Sequence, residues 1–143
     1  MACDRRRFVC LGASALAVAV LDGCASLVTR RVPLTEGRVR LALRLYPELV
    51  EPGAALRLLP DGWTDPLYVL VLDDGGFSAV SPICTHLSCT VEVNGAHLVC
   101  PCHGSTYDRT GRVLKGPAAR ALTRFPTRLT ADGDLVIDVG DAR

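Results

Sequence analysis

Six residues of this chain combine reactive side chains with close spacing. Cys84, His86 and Cys89 stand in the run CTHLSC, and Cys100, Cys102 and His103 in the run CPCHGSTY. The chain holds seven Cys and three His, and four of the Cys and two of the His fall in these two runs. A disulfide framework would have no use for the imidazoles. Thiolate and imidazole together are donors for a metal. The two runs therefore point to a metal site, and the donor types alone leave the metal open. A zinc centre with two Cys and two His is one reading, although zinc fingers do not usually employ a Cys-x-His pair or carry two further Cys beside it.

For these donors to converge, both runs must be held by rigid structure. Val39, Leu41, Leu43 and Leu45 alternate with Arg38, Arg40, Ala42 and Arg44, which is the period of a strand. Residues 67–72 (LYVLVL) form a fully apolar strand candidate, and Asp73-Asp74-Gly75-Gly76 returns the chain into residues 77–80 as a hairpin. Residues 91–93 and 97–99 flank Asn94-Gly95, a second hairpin that leads into the second run. Residues 122–129 and 135–139 are joined by Ala131-Asp132-Gly133, and Pro126 marks the former as an edge or bulged strand. No stretch after residue 38 carries a helical period. The expectation is an all-β domain over residues 38–143, built of short antiparallel strands, with each donor run a loop at the end of a strand. Residues 24–37 lack a sustained period, contain Pro33 and Gly37, and are expected to be a tether whose irregular part reaches at most ~45 Å.

Taken together, the runs closely resemble the paired boxes of the Rieske family. The pattern is Cys-x-His, thirteen intervening residues, then Cys-x-x-His, and Pro101, Gly104 and Ser105 match as well. The resemblance implies a Rieske-like antiparallel β-sandwich with a small cluster-binding subdomain made of two loops, and one [2Fe–2S] cluster as cofactor. It implies that Cys84 and Cys100 hold the inner iron and that His86 and His103 hold the outer one. Charge explains such a donor set. Two ferric ions and two sulfides sum to +2, and two thiolates with two neutral imidazoles bring the centre to zero, whereas four thiolates would bring it to −2. An electron enters a neutral centre more easily, so His on one iron raises the potential to about −150 to +300 mV, against about −400 mV for all-Cys clusters.

The same resemblance assigns Cys89 and Cys102 to a disulfide that staples the two loops. A bridge closing a loop of this size stabilises by about 3 kcal/mol in the chain-entropy picture. Ser105 and Tyr107 match positions whose hydroxyls donate to a bridging sulfide and to a ligand thiolate, which favours the reduced cluster and raises its potential. Leu87 matches the residue that shields the cluster from water. Gly116-Pro117 resembles the family's proline loop, which covers another face. Ser88 stands where the first box commonly has Gly, so a left-handed backbone at that position would be strained. His97, the remaining His, is expected to be a structural or surface residue.

Residues 1–23 have the three parts of an export signal: Arg5, Arg6 and Arg7, then an apolar stretch from Phe8 to Leu21, then small residues. The apolar stretch is shorter than the ~20 residues a spanning helix needs. The run RRRFV resembles a twin-arginine signal, which suits a cargo that must be loaded with its cofactor and cross the membrane folded. Leu21-Asp22-Gly23-Cys24 resembles a bacterial lipobox, which would make Cys24 the lipid-modified first residue, with Asp22 an unusual occupant. The expectation is a domain exported across the cytoplasmic membrane, tethered to it, and facing the periplasm or cell exterior. Loss of residues 1–23 leaves thirteen basic and thirteen acidic residues, so long-range charge steering is not how this domain finds partners.

No basic stripe is present, and the chain has one Trp, so nucleic acid is not an expected partner. The resemblance implies an electron-transfer subunit that accepts electrons from quinol and works with a membrane quinol oxidase or cytochrome partner of the bc type, with His103 the quinol-facing ligand. Two alternatives are the small Rieske subunit of an exported oxidase such as arsenite oxidase, and a ferredoxin-like donor to an oxygenase. The leader argues against the ferredoxin, which is cytoplasmic. An oxygenase proper would need a second iron site of two His and a carboxylate, and only His97 is left to build it.

Overall fold

The computed structural model describes residues 27–140. The expected leader at 1–23 and the lipobox residue Cys24 lie outside the described residues. Twelve strands run through the described part: β1 (Thr29–Val32), β2 (Arg38–Ala42), β3 (Ala55–Pro60), β4 (Leu67–Val71), β5 (Phe77–Val80), β6 (Glu92–Asn94), β7 (His97–Val99), β8 (Thr106–Asp108), β9 (Val113–Lys115), β10 (Arg124–Phe125), β11 (Thr127–Leu129) and β12 (Asp134–Asp138). Two 3-10 turns, Leu43–Leu45 and Pro47–Leu49, interrupt them.

The strands form three sheets, in the orders β1-β3-β4-β5-β10, β11-β12-β2 and β6-β7-β8-β9. The first two sheets enclose one core, made of Val39 and Leu41 from β2, Leu56 and Leu58 from β3, and Leu135 and Ile137 from β12. The third sheet is an insertion. The chain leaves the five-stranded sheet after β5, builds β6 to β9, and returns as β10. It packs on the other face of that sheet in a second core, which contains Tyr68, Leu70, Val80, Val91, Leu98 and Tyr107.

β4 explains how one strand serves both cores. Leu67, Val69 and Val71 enter the first core, and Tyr68 and Leu70 enter the second. All five residues are buried, which is why the sequence there is a continuous apolar run rather than an alternating one. Each buried aliphatic side chain stabilises the fold by about 1.5–3 kcal/mol relative to exposure. The insertion that carries both donor runs therefore rests on the central strand of the domain.

Four features differ from the sequence expectation. The segment expected as a tether contains β1, which pairs in parallel with β3, the one parallel pairing among the described strands. Only Val32 of β1 is buried, so its sequence carries no period to read. β2 ends at Ala42 rather than Leu45. The Tyr46 N–H donates to the Leu43 carbonyl, and the chain turns ahead of Pro47. Residues 122–129 are two strands in two different sheets, and Pro126, with no N–H to donate, is the crossover between them. The subdomain is also more than two loops, because it has its own four-stranded sheet.

Candidate metal centre

The two donor loops are built to one plan. The first, between β5 and β6, is closed by the Cys84 N–H donating to the Cys89 carbonyl at 2.8 Å and the Ser88 N–H donating to the Cys84 carbonyl at 2.9 Å. The second, between β7 and β8, is closed by the Cys100 N–H donating to the Ser105 carbonyl at 2.8 Å and the Gly104 N–H donating to the Cys100 carbonyl at 2.9 Å. In each loop the fifth residue has a left-handed backbone, φ +60° at Ser88 and +73° at Gly104. An Ile83–Thr90 bridge closes the neck of the first loop.

This plan sets the donors in two layers. Cys84 and Cys100 are free thiols and each is 1% exposed. His86 is half-buried and His103 is exposed, and their rings face each other edge-on at 4.9 Å between centroids. The Nδ1 of His86 is buried and has no hydrogen-bond partner. A buried polar atom left unpaired is costly, and a metal bond would satisfy it. Cys89 and Cys102 form a disulfide across the two loops, with 6.5 Å between their Cα atoms.

One hydroxyl reaches the buried sulfurs, and a second lies in the same loop pair. The Tyr107 hydroxyl lies 3.3 Å from the Cys84 Sγ and is fully buried. Burial pushes the Cys84 thiol up, but bonds from Tyr107, from the His86 and Leu87 backbone and from Cys100 outweigh that and bring it below its ordinary value. Burial and the bond to Cys84 push the Tyr107 hydroxyl up, which keeps it a neutral donor. The Ser105 Oγ accepts from the Ala118 N–H at 3.0 Å, so its own proton is left for another acceptor. Ala118 follows Pro117, so this bond anchors the segment at 116–118 against the second loop. Pro117 itself is exposed, and Leu87 is 62% exposed at the tip of the first loop. His97 lies on the surface of β7, paired across the hairpin with Asn94.

Three residues that sequence reasoning missed hold the site together. Thr85, between two donors, gives its hydroxyl proton to the Arg120 carbonyl at 2.6 Å and its N–H to the Tyr107 hydroxyl at 3.3 Å. Tyr68 in β4 donates to the Val91 carbonyl at 2.9 Å, which ties the insertion to the central strand. Arg109 is buried and spans the same boundary, donating from Nη1 to the Gly95 carbonyl at 2.8 Å and from Nη2 to the Ala54 carbonyl. No local pattern marks Tyr68 or Arg109, because their partners are backbone atoms distant in sequence. The hydroxyl of Thr85 inside the first donor run was the one signal available.

Two buried thiols and two imidazoles brought together by paired loops on an all-β scaffold are the donors of a candidate metal centre. Residues 56–126 match the family model described as Rieske [2Fe-2S] domain. The chain is similar to the "Cytochrome b6-f complex iron-sulfur subunit" of Synechococcus elongatus, at 42% identity over 50% of this chain and 42% of that protein. It is similar to "Cytochrome b6-f complex iron-sulfur subunit 2" of Synechocystis sp. at 36% identity over 62% of this chain and 52% of that protein. The chain thus spans about half the length of the curated relatives it matches. A chain of the "Complex of reduced oxygenase and oxidized ferredoxin in carbazole 1,9a- dioxygenase" shares the fold, with TM-score 0.57 over 75% of this chain and 97% of that chain at 20% identity. The chain belongs to the Rieske [2Fe–2S] family and takes one Rieske-type [2Fe–2S] cluster as its cofactor.

Proposed function

We propose that this chain is an electron-transfer protein that accepts electrons from quinol and passes them to a membrane cytochrome partner of the bc type. Cys84 and Cys100 would hold the inner iron and His86 and His103 the outer one. When bound, the cluster supplies a one-electron acceptor of raised potential. The observation that carries the reading is the exposure of the His103 ring above thiols that are 1% exposed. The sulfur layer is closed to water, and one imidazole is left at the surface for a partner.

The chain's own residues divide the work. The outward ring nitrogen of His103 accepts a hydrogen bond from a quinol hydroxyl and can take its proton. Leu87, exposed beside His86, offers an apolar contact to the quinol ring and excludes water there. The Tyr107 hydroxyl donates to the Cys84 sulfur, and the Ser105 hydroxyl has its proton free for the cluster's sulfide. Both hydroxyls would favour the more negative state of the site. Tyr68 and Arg109 hold the insertion against the domain, so the donors do not shift relative to β4.

Location follows the same reading. Among the described residues no helix is long and apolar enough to cross a membrane. The curated relatives are named as iron-sulfur subunits of the cytochrome b6-f complex, and for this chain we assign a membrane attachment to residues 1–24, with Cys24 as the lipid-bearing residue after twin-arginine export. β1 then opens the described part of the domain.

Membranes holding the full chain, kept anaerobic and given a short-chain hydroquinone, test the function. The expected result is an EPR signal of the reduced cluster. A cluster that stays oxidised with hydroquinone, yet is reduced by dithionite, would contradict the quinol reading.

A further inference from the structure

The site contains a third sulfur next to its disulfide. The Sγ atoms of Cys89, Cys100 and Cys102 all lie within 4.8 Å of one another. Cys89 and Cys102 are bonded, and Cys100 is a free thiol. The two loop backbones fix this grouping through the same hydrogen bonds that close the loops. Cys84, the other free thiol among the described residues, lies outside the group and is bonded to the Tyr107 hydroxyl instead.

We propose that Cys100 is a nucleophile toward the Cys89–Cys102 disulfide, so that a chain without its cluster rearranges its own disulfide. The proposal rests on the reading of Cys100 as a cluster ligand. The step is an intramolecular exchange. The Cys100 Sγ attacks the Sγ of Cys89 as its thiol proton is released. The Cys89–Cys100 bond forms as the Cys89–Cys102 bond breaks. The electron pair leaves on the Cys102 Sγ, which takes up a proton from water. One disulfide and one thiol stand on each side, so no oxidant or reductant is consumed.

Burial sets the direction of attack. Cys100 is buried, Cys89 is half-buried and Cys102 is exposed. Attack on Cys89 releases the thiolate of Cys102, whose charge is hydrated at once, and removes a free thiol from the interior. The product has used up Cys100, so it has lost a cluster ligand and cannot be reloaded until it is reduced. Iron on Cys100 blocks the step by occupying the nucleophile. The cluster therefore protects the disulfide, and the productive order of assembly is cluster first, or cluster while Cys89 and Cys102 are still thiols.

Disulfide mapping of the full-length holoprotein tests this. Iron and acid-labile sulfide are assayed first. The cluster is then removed anaerobically with a chelator and no added thiol, and samples are alkylated over time, digested and sequenced by mass spectrometry. The holoprotein should show Cys89–Cys102 alone. The stripped chain should lose that peptide and gain Cys89–Cys100 in equal amount, with the label on Cys102. The rate should be independent of protein concentration, and the capacity to reload iron should fall in step. Cys84→Ser should keep the exchange, and Cys100→Ser should abolish it. Should Cys100→Ser fail to fold, the stripped wild-type chain decides alone. Cys89–Cys102 persisting as the sole pair after stripping, or pairing to any Cys other than Cys100, overturns the proposal. A preparation that never held iron and sulfide overturns the ligand reading instead, and its disulfide map still reports on the exchange.

Discussion

Ser88 and Gly104 occupy the same place in two loops of the same plan. Each donates its N–H to the carbonyl of the first Cys of its loop, and each has a left-handed backbone. Glycine adopts that conformation freely, whereas a side chain there costs roughly 1–2 kcal/mol. The added entropy of glycine in the unfolded chain offsets part of the gain. Ser88→Gly should therefore stabilise the domain by about 0.5–1 kcal/mol, and Gly104→Ala should destabilise it by about 1–2 kcal/mol. A Cβ at Gly104 would meet nothing within 4 Å, so the backbone alone carries the effect. Denaturant titrations would read both changes, and equal midpoints for Ser88→Gly and wild type would count against the strain.

Removing the hydroxyl of Ser105 or of Tyr107 should lower the midpoint potential and leave the cluster bound. Ser105→Ala and Tyr107→Phe each delete one donor to a centre that becomes more negative on reduction. At about 1–2 kcal/mol of differential stabilisation per bond, each should cost ~40–90 mV. Protein-film voltammetry reports it, and a potential that stays or rises removes the tuning role.

Breaking the staple should loosen both loops together. Cys89→Ser or Cys102→Ser opens a bridge with a sequence separation of 13, for which the expected loss is about 3 kcal/mol. The visible absorption of the cluster should bleach at a lower temperature. An unchanged bleaching temperature would mean that the four-stranded sheet holds the loops without help.

Asp108 gives stability a pH dependence with a defined sign. Its carboxylate accepts from the Thr110 N–H at 2.8 Å, the Thr110 hydroxyl at 2.7 Å and the Arg112 N–H at 3.0 Å. Burial pushes the carboxyl up, but these bonds and the Arg112 charge outweigh it and hold it below its ordinary value. The stabilisation is fully present above the unfolded value of about 3.9 and is lost as pH falls through the lower folded value. The stability deficit of Asp108→Asn, measured by denaturant titration, should be largest near neutral pH and shrink below about pH 4. A deficit that is constant with pH would contradict the assignment.

The convergence of the two Cys/His runs was legible because the residues concerned are local. Two short runs carry Cys84, His86, Cys100 and His103, and hairpins read from Gly75-Gly76 and Asn94-Gly95 place each run at a strand end. The strain at Ser88 was legible too, since a position that commonly holds glycine held something else. β1 was not, because an edge strand with one buried residue is held by backbone pairing and leaves no mark in its sequence. The end of β2 was overrun because Leu43 and Leu45 continue a period that the turn before Pro47 breaks. Arg109 and Tyr68 act through carbonyls far along the chain, and no motif encodes such a contact.

The central claim is that two thiolates and two imidazoles of this chain hold one [2Fe–2S] cluster. EPR of the reduced protein, with iron and zinc assayed on the same sample, tests it most directly. The account predicts two iron atoms per chain, a spectrum of low average g, and hyperfine coupling from two imidazole nitrogens, all lost in His86→Ala and in His103→Ala. Zinc in place of iron, or a signal unchanged in either variant, would contradict it.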